Sequence, residues 1–382
     1  MSSVHDLIAK LCPSGVCFKR LGDVARIKNG KDHKSLADGE YPVYGSGGIM
    51  RYANSYAYDK PSVLIPRKGS LDNLFFVDTP FWNVDTIFYT EIDESQIRPK
   101  FFYYFLQTVG LGEMNQAGGV PSQTQSALNE IKIPVPPIQI QAEIVRILDA
   151  MTAHTAELTA ELTARKKQYN YYRDKLLSFE DGEVEWKTLG DIGDVKMCKR
   201  ILKNETQSEG DVPFYKIGTF GKKADAFISN EVYQAYKSKY SFPNKGDILI
   251  SASGTIGRTV VYDGHPAYFQ DSNIIWISNN EKIVSNKYLW HFYKIAKWFV
   301  SSGGTIDRLY NDNIRKTLIP VPYPSDPAKS LVEQARVVSI LDKLDKLTSS
   351  ITEGLPREIE LRQKQYAYYR DLLLSFPKPP TI

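Results

Sequence analysis

The chain carries one passage twice, nearly 200 residues apart. Lys167-Gln168-Tyr169-Asn170-Tyr171-Tyr172-Arg173-Asp174 returns as Lys364-Gln365-Tyr366-Ala367-Tyr368-Tyr369-Arg370-Asp371, and the copies run on to Phe179 and Phe376. Upstream, Gln141-Ala142-Glu143-Ile144-Val145-Arg146-Ile147-Leu148-Asp149 is echoed by Gln334-Ala335-Arg336-Val337-Val338-Ser339-Ile340-Leu341-Asp342. Further upstream, Ile133-Pro134-Val135-Pro136 matches Ile319-Pro320-Val321-Pro322. A long-period repeat fixes architecture before anything else. Two copies of one unit make a pseudo-twofold object, which suits a pseudo-twofold partner such as duplex DNA.

Both copies read as long helices. From Ile144, alternating steps of four and three visit Leu148, Met151, Thr155, Leu158, Leu162, Arg165, Tyr169, Tyr172, Leu176 and Phe179, a heptad seam interrupted at Thr155 and Arg165. Pro136 and Pro137 stand where prolines are tolerated, and Glu180-Asp181-Gly182 is a plausible stop. The second copy follows Val337, Leu341, Leu344, Thr348, Ile351 and Leu355, then restarts at Ile359 after Gly354 and Pro356, with Pro377 and Pro379 at its end. This pattern predicts helices over 138–179 and 328–376, the second kinked at its proline. Neither apolar stripe is stable alone in water, so the two helices are expected to pair, antiparallel if a twofold axis relates the halves.

The remainder divides into two lobes, about 18–133 and 186–319. Short β-like runs such as Ser62-Val63-Leu64-Ile65 and Asp247-Ile248-Leu249-Ile250 are bounded by turns. Aromatic helical stretches follow at 101–108 and 288–300. The lobes correspond only at islands: Tyr41-Pro42-Val43-Tyr44 with Val212-Pro213-Phe214-Tyr215, and Gly118-Gly119 with Gly303-Gly304. Residues 6–28 also match 174–196, including Leu21-Gly22-Asp23 with Leu189-Gly190-Asp191. The N-terminal segment thus imitates the end of the first long helix. It is expected to dock at the end of the second, closing a circular arrangement of two halves.

On these residues the chain resembles the specificity subunits of Type I restriction–modification systems. The Gln-x-Glu-Ile-Val-x-Ile-Leu-Asp passage at Gln141 to Asp149, the Lys-Gln-Tyr-x-Tyr-Tyr-Arg-Asp motif in both copies, the Ile-Pro-Val-Pro lead-in and the Leu-Gly-Asp lobe starts carry that likeness over essentially the whole length. It implies an α+β fold with two α/β-type target recognition domains on two long helices packed as an antiparallel coiled coil. The expected divisions are 1–17, 18–137, 138–180, 181–324 and 325–382. It also implies partners: double-stranded DNA with a bipartite site, two modification subunits that methylate adenine with S-adenosylmethionine, and restriction subunits. No cofactor is expected on this chain.

The residues point away from catalysis. Val321-Pro322-Tyr323-Pro324 is better read as a helix lead-in than as an adenine-holding loop, because Val135-Pro136-Pro137 lacks the tyrosine. Gly254-Thr255-Ile256-Gly257-Arg258 lacks the Lys-Ser/Thr ending of a phosphate-cradling loop. Cys12 and Cys17 have no companion ligands, so no metal site is expected. Three cysteines, no apolar run of about 20 residues and no signal-peptide pattern fit a cytoplasmic protein.

Net charge is +4, and it is unevenly placed. Residues 187–320 hold 19 Lys/Arg against 13 Asp/Glu, whereas residues 18–133 hold 13 of each, so charge alone nominates the second lobe for DNA. Clusters mark both lobes as candidates: Lys28, Lys31, Lys34, Arg51, Arg67 and Lys68 in one, and Lys196, Lys199, Arg200, Lys203, Lys222, Lys223, Arg258 and Arg308 in the other. Arg258 is expected on the exposed end of its turn, facing DNA. Tyr169, Tyr172, Tyr366 and Tyr369 fall on the seam, while Tyr171, Arg173, Tyr368 and Arg370 point elsewhere and are candidates for holding partner subunits. The tandem Thr155-Ala156-Glu157-Leu158-Thr159-Ala160-Glu161-Leu162 suggests a ruler. One four-residue unit would lengthen a helix by roughly 6 Å. The competing reading is a two-lobed coiled-coil scaffold that binds proteins and never touches DNA, favoured by the neutral first lobe.

Overall fold

The computed structural model describes residues 2–115, 119–179, 184–300, 307–350 and 352–377. The expected helix stop at Glu180-Asp181-Gly182, the seam position Ile351, the glycines Gly118, Gly303 and Gly304, and the terminating Pro379 lie outside them. No described helix is long and apolar enough to cross a membrane. The chain forms two compact units, residues 1–160 with 357–382, and residues 161–356. These boundaries cut the long helices rather than separating lobes from helices, so each unit contains one lobe, the start of one helix copy and the end of the other.

In unit one, a four-stranded antiparallel sheet runs in the order Ala25–Lys28, Ile87–Ile92, Ser62–Pro66, Phe75–Val77. Beside it lies a three-stranded sheet of Gly48–Ala53, Asp38–Gly45 and Trp82–Asn83, the last pair parallel. A ribbon of Phe18–Arg20 with Lys132–Pro134 returns the chain to the long helix. Unit two repeats this strand for strand. Its four-stranded order is Gly193–Lys196, Ile274–Asn279, Ile248–Ser251, Thr259–Val261. Its three-stranded sheet is Phe227–Ile228, Val212–Tyr215, Tyr268–Phe269, and its ribbon pairs Val184–Thr188 with Leu318–Pro322. The Ile-Pro-Val-Pro passage is therefore wholly β-ribbon in unit two and half so, at Ile133 and Pro134, in unit one. The central strands Ser62–Pro66 and Ile248–Ser251 are buried at every position, which explains their continuous apolar reading.

The first long helix spans Ile138–Leu176, three residues short of the expected end. The second copy is a correction: it is two helices, Pro327–Ser349 and Leu355–Leu373, rather than one kinked rod. Gly354 sits at φ +83°, and a Cβ there would fall 2.6 Å from the Lys346 carbonyl oxygen. A chain folded back this tightly cannot continue a right-handed helix. Pro356 then stands in the first turn of the new helix, where its missing N–H costs nothing.

Within unit one, Ile140, Ile144 and Leu148 of the long helix share a core with Leu373, Leu374 and Phe376. The two helix segments run antiparallel there, since Gln141 and Phe376 both meet the start of the lobe helix Pro99–Leu106 while Asp149 and Tyr366 meet its end. The N-terminal helix Ser2–Leu11 joins the same core through Val4, and the Val16 amide donates to the Pro377 carbonyl at 3.2 Å. In unit two, Tyr169 and Leu177 share a core with Val337 and Leu341.

Candidate nucleic-acid interface

Each lobe is held to its helix by the same set of polar bonds. In unit one, buried Gln141 accepts from the Arg98 amide at 2.7 Å and donates to the Gln96 and Pro136 carbonyls at 2.9 and 2.8 Å. Two turns on, Asp149 receives Lys100 Nζ at 2.8 Å and the Tyr104 hydroxyl at 2.6 Å. The Tyr366 hydroxyl donates to Gln107 at 2.8 Å. In unit two, buried Gln334 accepts from the Ser285 amide at 2.9 Å and donates to the Ile283 carbonyl at 2.8 Å. Asp342 receives Lys287 Nζ at 3.1 Å and meets His291 Nε2 at 2.8 Å, while Lys294 Nζ donates to the Tyr169 hydroxyl at 3.0 Å. Position for position, His291 replaces Tyr104 and Lys294 replaces Gln107, the last with its bond reversed, since Tyr366 donates to Gln107 whereas Lys294 donates to Tyr169.

The electrostatics differ accordingly. Burial holds the His291 imidazole below its ordinary range, and neighbouring Lys294 adds to this against the opposing bond to Asp342. Burial pushes the Asp342 carboxyl up, yet the hydrogen bonds from His291 and Lys287 outweigh it and the net shift is downward. In unit one, burial and the bond to Asp149 both raise the Tyr104 phenol, and burial pushes Tyr366 up to about 12. The helix-side Gln, Asp and Tyr were visible in the repeat. Their lobe-side partners were not singled out, although Lys100 and Tyr104 share the four-residue spacing of Lys287 and His291.

The structure sorts the basic candidates into engaged and free. Arg51 is held by Asp38 at 2.7 Å and the Leu36 carbonyl at 3.1 Å, so it staples its own hairpin. Arg258 is likewise a correction: its guanidinium donates to the Phe220 carbonyl at 2.9 Å instead of facing outward. Lys28 pairs with Glu91 at 3.6 Å, Arg200 with Asp271 at 2.9 Å, and Lys199 lies over the Tyr240 ring. Arg67 reaches the Asp85 carbonyl at 3.5 Å. Lys196 is half-buried on its strand, whereas Lys31, Lys34, Lys68, Lys203, Lys222, Lys223 and Arg308 are exposed.

Two groups come together. In lobe one, the Lys31 amide bonds Asn83 beside Arg67 and Lys68, whose backbones bond Thr86. In lobe two, Arg308 and Ser272 line one cavity of about 370 Å³, and Arg200 is tied to the adjacent Asp271. Arg51 belongs with the small sheet, and Lys222 and Arg258 flank Phe220.

The closing motif takes the same form in both copies. Tyr171 and Tyr368 are 60% and 64% exposed, each edge-on to the next tyrosine. The arginines do not point outward: Arg173 and Arg370 fold over the rings of Tyr169 and Tyr366 and pair with Asp174 and Asp371, both at 2.7 Å. Tyr172, expected on the seam, is exposed, so Tyr169 and Tyr366 are the packing tyrosines. No group of three or more potential metal ligands occurs among the described residues.

Comparison with known proteins adds a family to this geometry. A model described as Type I restriction modification DNA specificity domain matches residues 13–166 and again 182–361. A type I restriction enzyme specificity subunit of Haemophilus influenzae is 51% identical, covering 95% of this chain and 96% of its own. The EcoR124I/EcoR124II specificity subunit of Escherichia coli is 39% identical over 77% of this chain and 74% of its own. Among solved structures, the S subunit of a Type I restriction–modification system from M. genitalium superposes with TM-score 0.56 at 19% identity, covering 95% of this chain and 96% of that one.

Proposed function

Because the chain belongs to the Type I restriction modification DNA specificity family, we propose that it reads a bipartite DNA site, one half-site per lobe. Its helices would space the half-sites and carry the modification and restriction subunits. The reading rests above all on the duplicated frame: two lobes of identical strand order, fixed to helix segments by the same Gln, Asp and Tyr, yet differing in the side chains they expose. A shared frame gives both lobes one geometry toward a duplex, and unlike surfaces give them different sequences to choose. Exposed Tyr171 and Tyr368, placed alike on the two copies, are the candidate contacts for two equivalent partner subunits. The chemistry belongs to those partners, with the target adenine flipped out of the duplex inside them.

The test is expression of this chain with its modification subunit, followed by genome-wide mapping of methylated adenines. The expected result is a split motif of two short constant blocks around a fixed spacer. Inserting one Thr-Ala-Glu-Leu unit after Leu162 should lengthen that spacer and leave both blocks unchanged. An undivided motif, or none, would defeat the proposal, and binding to the modification subunit without any DNA preference would favour the protein scaffold.

A further inference from the structure

The internal duplication supplies its own comparison. Positions that coincide in both lobes serve a shared task, while positions that differ on a coincident backbone are free to serve the task in which the lobes differ. One place stands out on that test: the end of the central strand, where a strap returning from the lobe crosses it. In lobe one, the Arg67 amide bonds the Thr86 carbonyl at 2.9 Å, Lys68 bridges Ser122, and the Gln123 amide returns to the Arg67 carbonyl at 3.1 Å. In lobe two, the Ala252 amide bonds the Asn273 carbonyl at 2.8 Å, Ser253 bridges Arg308, and the Leu309 amide returns to the Ala252 carbonyl at 2.8 Å. The next residues, Gly69 and Gly254, both have positive φ, +87° and +66°. Each strap then feeds a short helix, Gln125–Asn129 or Asn311–Lys316.

The backbones coincide and the side chains do not. Each bridge joins one basic residue to one serine, but the two have changed sides: Lys68 opposite Ser122, and Arg308 opposite Ser253. Lys68 and Arg308 are both exposed, and neither makes an ion pair among the described residues. In lobe two, the N-cap position of Asn311–Lys316 is filled by Tyr310, which makes no capping hydrogen bond and is 56% exposed. Such a position ordinarily takes Ser, Thr, Asp or Asn, as Thr124 does at the equivalent place in lobe one. Ser272, across the cavity, has φ +58°, a conformation rarely held by residues other than glycine. Arg308, Tyr310, Asn311, Ser272 and Met197 surround this one concavity together with Asp312, whose carboxylate lies 3.8 Å from Arg315.

We propose that Arg308 is the base-reading residue of the second lobe, donating its guanidinium to the N7 and O6 acceptors of a guanine in the major groove. Tyr310 and Asn311 flank that contact. In the first lobe Lys68, on the opposite side of the equivalent bridge, reads the other half-site. This assignment rests on the DNA-reading function proposed above. A guanidinium fits the physical requirement, because its planar fork matches the two acceptors of guanine.

The complex of this chain with its modification subunit is selected against a randomised duplex library, and the retained duplexes are sequenced. The native complex should return two blocks. Arg308→Gln should lose discrimination at one guanine by about tenfold or more, in one block only, and Lys68→Gln should relax the other block only. Arg308→Lys keeps the charge and should hold overall affinity within a few-fold while still relaxing that guanine. Unchanged blocks in the variants overturn the assignment. So does a uniform loss of affinity with a salt dependence shallower by about one ion, the mark of a phosphate contact. A native complex that enriches nothing overturns the DNA-reading function and this assignment together.

Discussion

The latch of the first lobe and the latch of the second tie the same helix positions with different chemistry, and the tyrosine bond runs in opposite directions in the two. On the helix side, Gln141, Asp149 and Tyr366 face Gln334, Asp342 and Tyr169 without change of type. On the lobe side, an amide N–H and an ammonium recur, while tyrosine becomes histidine and glutamine becomes lysine. The lesson concerns what a buried acceptor demands. A half-buried carboxylate needs donors within reach, and a phenol, an imidazole or an ammonium each satisfies it. Lobe sequences therefore drift as long as the buried carboxylate keeps its donors and the tyrosine hydroxyl, which can donate or accept, keeps a partner, whereas the helices, which meet both lobes, do not. The exchange also gives the second latch a proton-dependent member that the first lacks.

The sharpest test of the equivalence is Gln141→Ala against Gln334→Ala. Each leaves at least one amide N–H and one carbonyl without its partner in a half-buried place, so each variant should lose about 1–3 kcal/mol in denaturant unfolding. Losses differing by more than about 1 kcal/mol would break the comparison.

Acid should separate the latches. His291 is neutral when folded, and its Nδ1 is buried with no partner among the described residues, so protonation would place an unsatisfied N–H there. The facing charges, Asp342 and Asp345 against Lys287 and Lys294, do not reverse that downward shift. The unfolded chain takes up the proton first, so stability from this site is complete above pH ~6.5 and falls below it, by at most about 1.4 kcal/mol per pH unit. Hydrogen exchange between pH 7.5 and 5.5 should show protection falling in helix Asn286–Tyr293 but not in helix Pro99–Leu106, and His291→Gln should abolish the difference. The raised Tyr104 phenol behaves oppositely, its contribution complete below pH ~10 and lost only above it.

Smaller changes sharpen the picture. Lys294→Gln installs the residue type of lobe one but gives up the bond to Asp345 at 2.7 Å and the contact with the Trp290 ring, for an expected loss of about 1 kcal/mol. Tyr366→Phe should cost about 1 kcal/mol, and Tyr169→Phe about half that, because Lys294 keeps Asp345 when the phenol is gone. The surface pairs Arg146–Glu143 and Arg336–Glu333 should contribute least, so Arg→Gln at either should leave the unfolding curve essentially unmoved.

Repeats and periodicity were legible in the residues, and so were the family likeness and the long helix Ile138–Leu176. The tyrosine register was only half legible. A heptad count places Tyr169 and Tyr172 alike, but Lys294 approaching one side of the helix selects Tyr169 and leaves Tyr172 exposed. Among the basic candidates, charge gave no means of knowing that Arg51 would staple a hairpin or that Arg258 would cap the Phe220 carbonyl. Those partners lie 13 and 38 residues away, and only the fold brings them close.

By itself the sequence determined that two copies of a helical passage alternate with two dissimilar lobes, because periodicity and repetition are local properties of the chain. The tertiary structure decided that the lobes match strand for strand, that donors of different chemistry dock them at matching points, and that the second helix copy breaks at Gly354. Sheet order and hydrogen-bond partnership join residues distant along the chain. They depend on which groups burial leaves in need of a partner, and no local pattern records that.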